Sequence, residues 1–274
     1  MNTPLVSIII TTKNEAKNIE NCLISIQEQS YSNIETIVVD NASTDKTKEI
    51  ARQYTDKVYD KGPERSAQRN YGMIDIAQGK YVMFIDADMS IEKNLIAECV
   101  NSFTTQPDLA GVFIPLRWIG NNWIIKAKGF EREFYDATCL DAVRFIPKKL
   151  VEQIKGFDER MYACEDWDFD KRIRALGKTA TVSALMYHHE DENINLSEYL
   201  DKINYYTKNV DIYLNKWGKN EPDIKKQFGL YYRYFGVFIE QGKWKKLLRH
   251  PILAFGMYWL RFLVGVKYIM RSKG

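Results

Sequence analysis

Apolar and polar positions divide the first hundred residues into short blocks of alternating character. Val6–Thr12 and Ile34–Asp40 are apolar runs that end in hydroxyl or carboxyl residues, a pattern that predicts strands. Between them Asn14 and Glu15 open a helix whose apolar positions, Ile19, Cys22, Leu23 and Ile26, recur at helical spacing. After Asp40, Ser43 or Thr44 can cap a helix running to about Tyr54. Val58-Tyr59 reads as a short third strand, Gly62-Pro63 breaks the chain, and residues 66–77 carry a helix. The run Tyr81-Val-Met-Phe-Ile85, rich in β-branched and aromatic residues, predicts a strand buried on both faces, and residues 91–103 a helix. Strand and helix alternating in this way imply an α/β fold with a doubly wound, mostly parallel sheet.

The second half is more mixed. Strands are predicted at 110–116, 142–146 and 178–187, and helices at 123–135, 165–176 and 196–216, with a turn at Gly156-Phe157-Asp158. From residue 227 onward the pattern changes again. Residues 252–270 form a mostly apolar, aromatic-rich helix interrupted by Arg261 and Lys267, nearly the ~20 residues needed to cross a bilayer. A division into a domain over 1–220 and a helical segment over 221–274 is expected.

Composition makes this division sharper. Of 274 residues, 45% are hydrophobic and 27% charged, which is globular and ample for a core. The net charge of +3 is unevenly placed: residues 225–274 hold eleven Lys/Arg against Glu240, leaving −7 for residues 1–224 by difference. An acidic body with a basic, aromatic tail suggests two tasks divided along the chain. Cys22, Cys99, Cys139 and Cys164 are scattered, which suits reduced thiols rather than a zinc site or a disulfide frame. The N-terminus shows no basic n-region or apolar h-region, so a cytoplasmic chain is expected.

Candidate chemistry lies where strands end. Asp86 and Asp88 follow the most apolar strand and are separated by one alanine. In an open α/β sheet, ligands sit outside the carboxyl ends of the strands. Two carboxylates there repel unless a cation lies between them, and oxygen ligands suit Mg²⁺ or Mn²⁺ shared with a substrate diphosphate. A polar turn with a helix cap explains the same triplet equally well. Glu165-Asp166 opens a predicted helix, where an ionised carboxylate is favoured; simple dipole matching accounts for that pair, and a general base at Asp166 is the alternative.

Five segments in order then resemble a known family. These are Val6 to Glu15, Val38-Val-Asp-Asn-Ala-Ser-Thr-Asp45, Ala67-Gln-Arg-Asn-Tyr-Gly72, Phe84-Ile-Asp-Ala-Asp88, and Gly156-Phe-Asp158 followed by Glu165-Asp166. Together residues 5–190 resemble a family 2 inverting glycosyltransferase of the GT-A fold. Asn41 stands where the family usually has a second aspartate, and Lys155 where a first glycine often stands. The resemblance implies a UDP- or GDP-sugar donor, with Thr11, Thr12, Glu15 and Asp40 around the nucleoside and Arg65 and Arg69 near the diphosphate. It implies that Asp86 contacts ribose and assists a Mn²⁺ or Mg²⁺ ion held by Asp88. His188, with His189 as its rival, completes the metal shell. Asp166, with Glu165 beside it, is the catalytic pair, Asp166 acting as base on an acceptor hydroxyl.

The tail then gains a meaning. Tyr231-Tyr-Arg-Tyr-Phe and Trp244-Lys-Lys-Leu-Leu-Arg-His join aromatics to cations, a composition suited to an anionic membrane surface. Attachment in-plane or re-entrant is expected, at the cytoplasmic face of the cell membrane; a soluble helical subdomain is the alternative. The family members that extend lipid-linked oligosaccharides suggest a polyprenyl-linked glycan as acceptor. No nucleic-acid module accompanies the basic stretches. Two other activities are open: a polyprenyl-phosphate sugar synthase, and a silent sugar-nucleotide or membrane-binding scaffold.

Overall fold

The computed structural model describes residues 3–205 and 209–271, with the side chains of 201–205 and 267–271 outside the description. Among the described residues, ten strands form two sheets: β1 Val6–Thr12, β2 Ile34–Asp40, β3 Val58–Asp60, β4 Tyr81–Asp86, β5 Met89–Ile91, β6 Leu109–Phe113, β7 Leu116–Ile119, β8 Phe145–Pro147, β9 Lys178–Thr181 and β10 Met186–His189. The larger sheet has the order β3-β2-β1-β4-β8-β6-β9 and the smaller the order β5-β10-β7. The strands β1 to β4 of the large sheet are mutually parallel, as are β6 and β9. Only β8 runs the other way, antiparallel to both β4 and β6.

Alternation within the buried strands feeds two cores. Val6, Ile8 and Ile10 of β1 face one, with the helices Ile19–Gln27 and Leu95–Thr105; Ile9 faces the other, with Val39, Phe84, Phe157 and Phe169. Side chains on both faces of the sheet are therefore dry, which is why these strands read as continuous apolar runs. Gly72 packs against β1 so closely that a Cβ there would lie 2.5 Å from Ile9 Cγ2.

Several elements differ from the sequence expectation for identifiable reasons. The strand expected at 178–187 is two strands in different sheets. Glu98 accepts the N–H groups of Ser183 and Ala184, and Glu92 accepts that of Leu185, so side chains replace ladder partners there. The run 110–116 divides ahead of β7 at Pro115, which has no N–H to donate. The helix expected from residue 91 begins at Leu95, because Met89 and Ile91 alternate inward as the strand β5. The helix expected over 66–77 is α-helical over Arg65–Asn70 and widens to a π-helix over Tyr71–Ile76. The helix expected at 196–216 is seen as Leu196–Tyr205 and Val210–Trp217; residues 206–208, Tyr206 among them, lie outside the described residues.

The tail shares a core with the body. Tyr232, Val237, Phe238 and Met257 pack with Phe130, Phe134 and Leu140, and the C-terminal helix Pro251–Arg271 lies along the helix Trp123–Arg132. Arg261, an interruption in the apolar pattern, points inward. Its guanidinium donates to Glu131 at 2.7 Å, and both residues are buried. Glu131 also pairs with Lys128 at 2.9 Å. The opposite face of the same helix exposes Ile252, Phe255, Trp259, Phe262 and Val266, a stripe at spacings of three and four. Among the described residues, no helix is long and apolar enough to cross a membrane.

Candidate active site

Carboxyl ends of β1 and β4 meet at the rim of a cavity of about 560 Å³. Thr11 and Thr12 close β1 in that wall, and Glu15, Arg65, Asp86 and Asp88 join them. Parallel pairing sets Thr11 opposite Asp86, and the Thr11 hydroxyl donates to Asp86 Oδ1 at 3.0 Å. Thr12 Oγ1 is buried without a hydrogen-bond partner, a polar atom left for a ligand.

Arg69 organises the floor of the site. Its Nη2 donates to Asp86 Oδ1 at 2.9 Å, and its Nη1 lies 3.6 Å from Glu165. Burial would raise the Asp86 pKa, but Arg69, Arg65 and Arg144 outweigh it and hold this carboxyl well below the usual carboxylate range. Glu165 is pushed up by burial and by the neighbouring Asp166, against the pull of Arg65 and Arg69. Arg65 reaches Glu165 at 3.3 Å.

Two of the sequence segments lock together through one side chain. Asn70 Oδ1 accepts the N–H of Phe157 at 2.7 Å, and its Nδ2 donates to the carbonyl of Phe157 at 3.0 Å. Gly156 turns the chain there with φ +65°; a Cβ at that position would meet Asn70 Oδ1 at 2.2 Å. The Ala67-Gln-Arg-Asn-Tyr-Gly72 and Gly156-Phe157-Asp158 segments thus meet, far apart in sequence but sharing an amide.

The histidine pair is separated by strand geometry. Successive side chains on β10 point to opposite faces, so only one can reach the carboxylates. His188 Nε2 lies 3.0 Å from Asp88 Oδ2, and His188 lines the cavity. Burial would lower the His188 pKa, but the bond to Asp88 and its charge prevail and raise it. His189 turns away to Asn21 at 3.1 Å and Ser90 at 2.8 Å. Of the expected ligands, Asp88 and His188 stand together, whereas the rival His189 lies with Asn21 and Ser90 and Asp86 is held by Arg69. Among the described residues, no group of three or more His, Cys, Asp or Glu side chains is arranged to hold a metal ion.

What remains still suits a divalent ion. Asp88 Oδ1 is buried and has no hydrogen-bond partner, an arrangement that costs free energy unless something else meets it. One carboxylate oxygen beside one imidazole is a donor set that Mn²⁺ accepts and that leaves room for waters and phosphate oxygens.

A second cavity, of about 330 Å³, lies on the other side of Asp86. Asp86 and Arg65 line both, and Asp166, Glu165 and Arg69 complete the second. Asp166 stands in the first turn of the helix Glu165–Arg174, entered through Cys164 at φ +60°. Its Oδ1 accepts the N–H of Trp167 at 2.9 Å. The metal-side acid and the expected base thus line two cavities that share Asp86 and Arg65.

Asp40 stands differently from expectation. Its carboxylate is fully buried and accepts the Ser43 N–H at 2.7 Å, while the neighbouring Asn41 lines the cavity. Sequence reasoning also missed Trp118, Lys128, Glu190 and Tyr199, which line the first cavity. Trp118, Lys128 and Tyr199 come from elements whose packing brings them there, and Glu190 follows the end of β10; Lys128 is placed by its bond to Glu131.

Residues 7–164, more than half of the chain, match the family model for Glycosyl transferase family 2. The chain belongs to this family. Among relatives of this family 2 glycosyltransferase is glycosyltransferase AglE of Haloferax volcanii, 38% identical over 118 residues, covering 39% of this chain and 38% of that protein. Hyaluronan synthase of Pasteurella multocida is 24% identical over 246 residues, covering 84% of this chain and 24% of that one. The family 2 chain thus spans well under half the length of both. Among solved structures, mannosyltransferase PcManGT from Pyrobaculum calidifontis, in complex with GDP-Man and Mn²⁺, superposes with TM-score 0.59 at 18% identity, covering 98% of this chain and 80% of that one. S. aureus TarS 1–349 in complex with UDP-GlcNAc gives TM-score 0.55 at 20% identity, covering 85% of this chain and 73% of that one. These likenesses show a shared α/β fold with a mostly parallel central sheet, that of GT-A glycosyltransferases.

Proposed function

We propose that the family 2 chain is a metal-dependent inverting glycosyltransferase. It moves a sugar from a UDP- or GDP-sugar to a hydroxyl of a polyprenyl-linked saccharide. The observation that carries this reading is Asp86 in the wall of both cavities, with Asp88 and His188 on one side and Asp166 on the other. In this reading Thr11, Thr12 and Glu15 border the nucleoside, and Arg65 meets the diphosphate. Asp86 keeps Oδ2 for the donor while Arg69 and Thr11 occupy Oδ1. Asp88 and His188 hold Mn²⁺ or Mg²⁺, which when bound neutralises charge growing on the leaving diphosphate. Asp166 takes the proton of the acceptor hydroxyl as its oxygen bonds to the anomeric carbon, and the bond to the diphosphate breaks on the opposite face.

Thermal shift with a panel of UDP- and GDP-sugars, with and without Mn²⁺, tests the donor side. A donor at a hundredfold excess over its Kd should stabilise by about 2.7 kcal/mol. In Asp88→Asn the Mn²⁺-dependent part of that gain should vanish, whereas His189→Ala should keep it. A panel in which no nucleotide sugar moves the melting temperature would sink the reading.

The lipid-borne acceptor is supported by the outer face of the tail. Ile252 is 85% and Phe255 73% exposed, on the side of the helix that turns away from the buried Arg261. Leu230, Tyr231, Phe235 and Leu248 of the tail are exposed as well, as are Lys245 and Arg249. An apolar patch with cations at its border complements an anionic bilayer, at about 1 kcal/mol per Lys/Arg near the surface. We propose on this basis that the chain attaches to a membrane surface, at the cytoplasmic face of the cell membrane. Flotation should carry the wild-type chain with vesicles containing phosphatidylglycerol and not with neutral ones, and the Phe255→Ser/Phe262→Ser double variant should stay behind. Wild-type protein left behind by anionic vesicles at low salt would refute attachment.

A further inference from the structure

The reversed strand β8 begins opposite the middle of β4. Its register sets Phe145 beside Met83 and Pro147 beside Tyr81, so the residue before Phe145 falls beside Phe84, two positions short of Asp86. That residue is Arg144. Its backbone N–H is tied to the carbonyl of Val112 at 3.0 Å, and its side chain lines the second cavity with Asp86 and Asp166.

The guanidinium of Arg144, half-buried, is left with an unmatched donor. Its carbon lies 5.3 Å from the centre of the Phe84 ring, and Arg69 sits 4.8 Å from the same ring. Arg144 Nη1 and Arg69 Nε are both buried without a hydrogen-bond partner among the described residues. Burial pushes the Arg144 pKa down, with Asp86 opposing and Arg69 adding to the push. Of the other charges of this wall, all but Asp166 face one another. Arg65 and Arg69 meet Glu165, Arg69 also holds Asp86, and Asp166 is the group proposed to receive a proton. An uncharged side chain such as methionine could fill the contact with Phe84 without leaving a donor unmatched. Two guanidinium groups on one ring, with orphan N–H groups, call for an oxyanion from outside the chain. A carboxylate matches the planar fork in a way that a sugar hydroxyl does not.

We propose that the second cavity is a receptor for a sugar carboxylate, with Arg144 as its specificity-determining residue: the saccharide held between Asp86 and Asp166 is a uronic acid. The inference rests on the nucleotide-sugar reading of the cleft. The carboxylate can arrive on the transferred sugar or on the acceptor's terminal sugar, and the test separates the two. Titration calorimetry on the full chain with Mn²⁺ compares UDP and GDP, their glucose conjugates and their glucuronic acid conjugates. If the donor carries the acid, wild-type protein prefers the glucuronic acid conjugate by about 10- to 100-fold, the range of charge-assisted hydrogen bonds. Arg144→Met abolishes this preference, and Arg144→Lys, which keeps the charge, retains part of it. If the acceptor carries the acid, the donor preference is absent. A glucuronic acid-terminated disaccharide then binds the nucleotide complex in preference to its neutral counterpart, and Arg144→Met removes that difference.

Equal weakening of UDP, glucose conjugate and glucuronic acid conjugate by Arg144→Met would assign Arg144 to the diphosphate and overturn the inference. So would the absence of any carboxylate preference in both arms, while nucleotide binding itself upheld the reading of the cleft. No binding of UDP or GDP in any arm would overturn both.

Discussion

Asp166→Asn is expected to lower transfer to a hydroxyl acceptor by about 10²–10⁴-fold, with donor affinity unchanged. The amide keeps the size of the carboxyl and can still accept the Trp167 N–H, so the helix start should persist. It cannot take a proton from an attacking alcohol. The loss should therefore fall on kcat and leave the donor KM near its wild-type value. Glu165 offers no rescue, because it is engaged with Arg65 and Arg69 and pushed toward its protonated form by burial and by Asp166. Steady-state rates of nucleoside diphosphate release with and without acceptor would show the effect. Undiminished transfer would point instead to an acceptor that is already anionic, as in a polyprenyl-phosphate sugar synthase, where no base is required.

Glu131→Gln should destabilise the fold by about 3–5 kcal/mol, the cost of removing one partner from a buried ion pair. Two cations depend on that carboxylate: Arg261 at 2.7 Å and Lys128 at 2.9 Å. The same substitution leaves Lys128 without its tether in the wall of the first cavity, so nucleotide affinity should also fall. The pH dependence has a definite sign. Burial opposes ionisation of Glu131, but Lys128 and Arg261 prevail and hold its folded pKa below the unfolded value. Its stabilisation is thus fully present above the unfolded pKa, about 4.3 for glutamate, and lost as pH falls through the folded one. Melting temperatures between pH 7 and pH 3 should decline more steeply for the wild type than for the variant. Coincident melting curves for the two proteins at pH 7 would show that this cluster does not hold the tail in place.

Sequence alone disclosed β1 and β2 to the residue and β4 to within one, because strands dry on both faces leave mostly apolar runs. Their ends fixed the positions of Asp86 and Asp88, and the short segments around Arg69, Gly156 and Asp166 located the rest. What pattern could not give was decided by tertiary contact. Glu92 and Glu98 break the late strand from a distance of more than 80 residues in sequence. The choice between His188 and His189 depended on which face of β10 turned inward. Arg261 looked like a defect in an apolar helix because Glu131, its partner, lies 130 positions away. Arg144 carried no motif at all. Its importance comes from strand direction, which hydrophobic pattern does not encode.

That reversal of β8 has an evolutionary reading. The segment leading into it carries Leu140, Ala142 and Arg144 into the wall of the second cavity. If Arg144 reads the sugar, as proposed, substitutions there would exchange one sugar preference for another without touching Thr11, Thr12 or Asp88 in the first cavity. Related enzymes with different substrates should diverge first at the positions equivalent to 140–144.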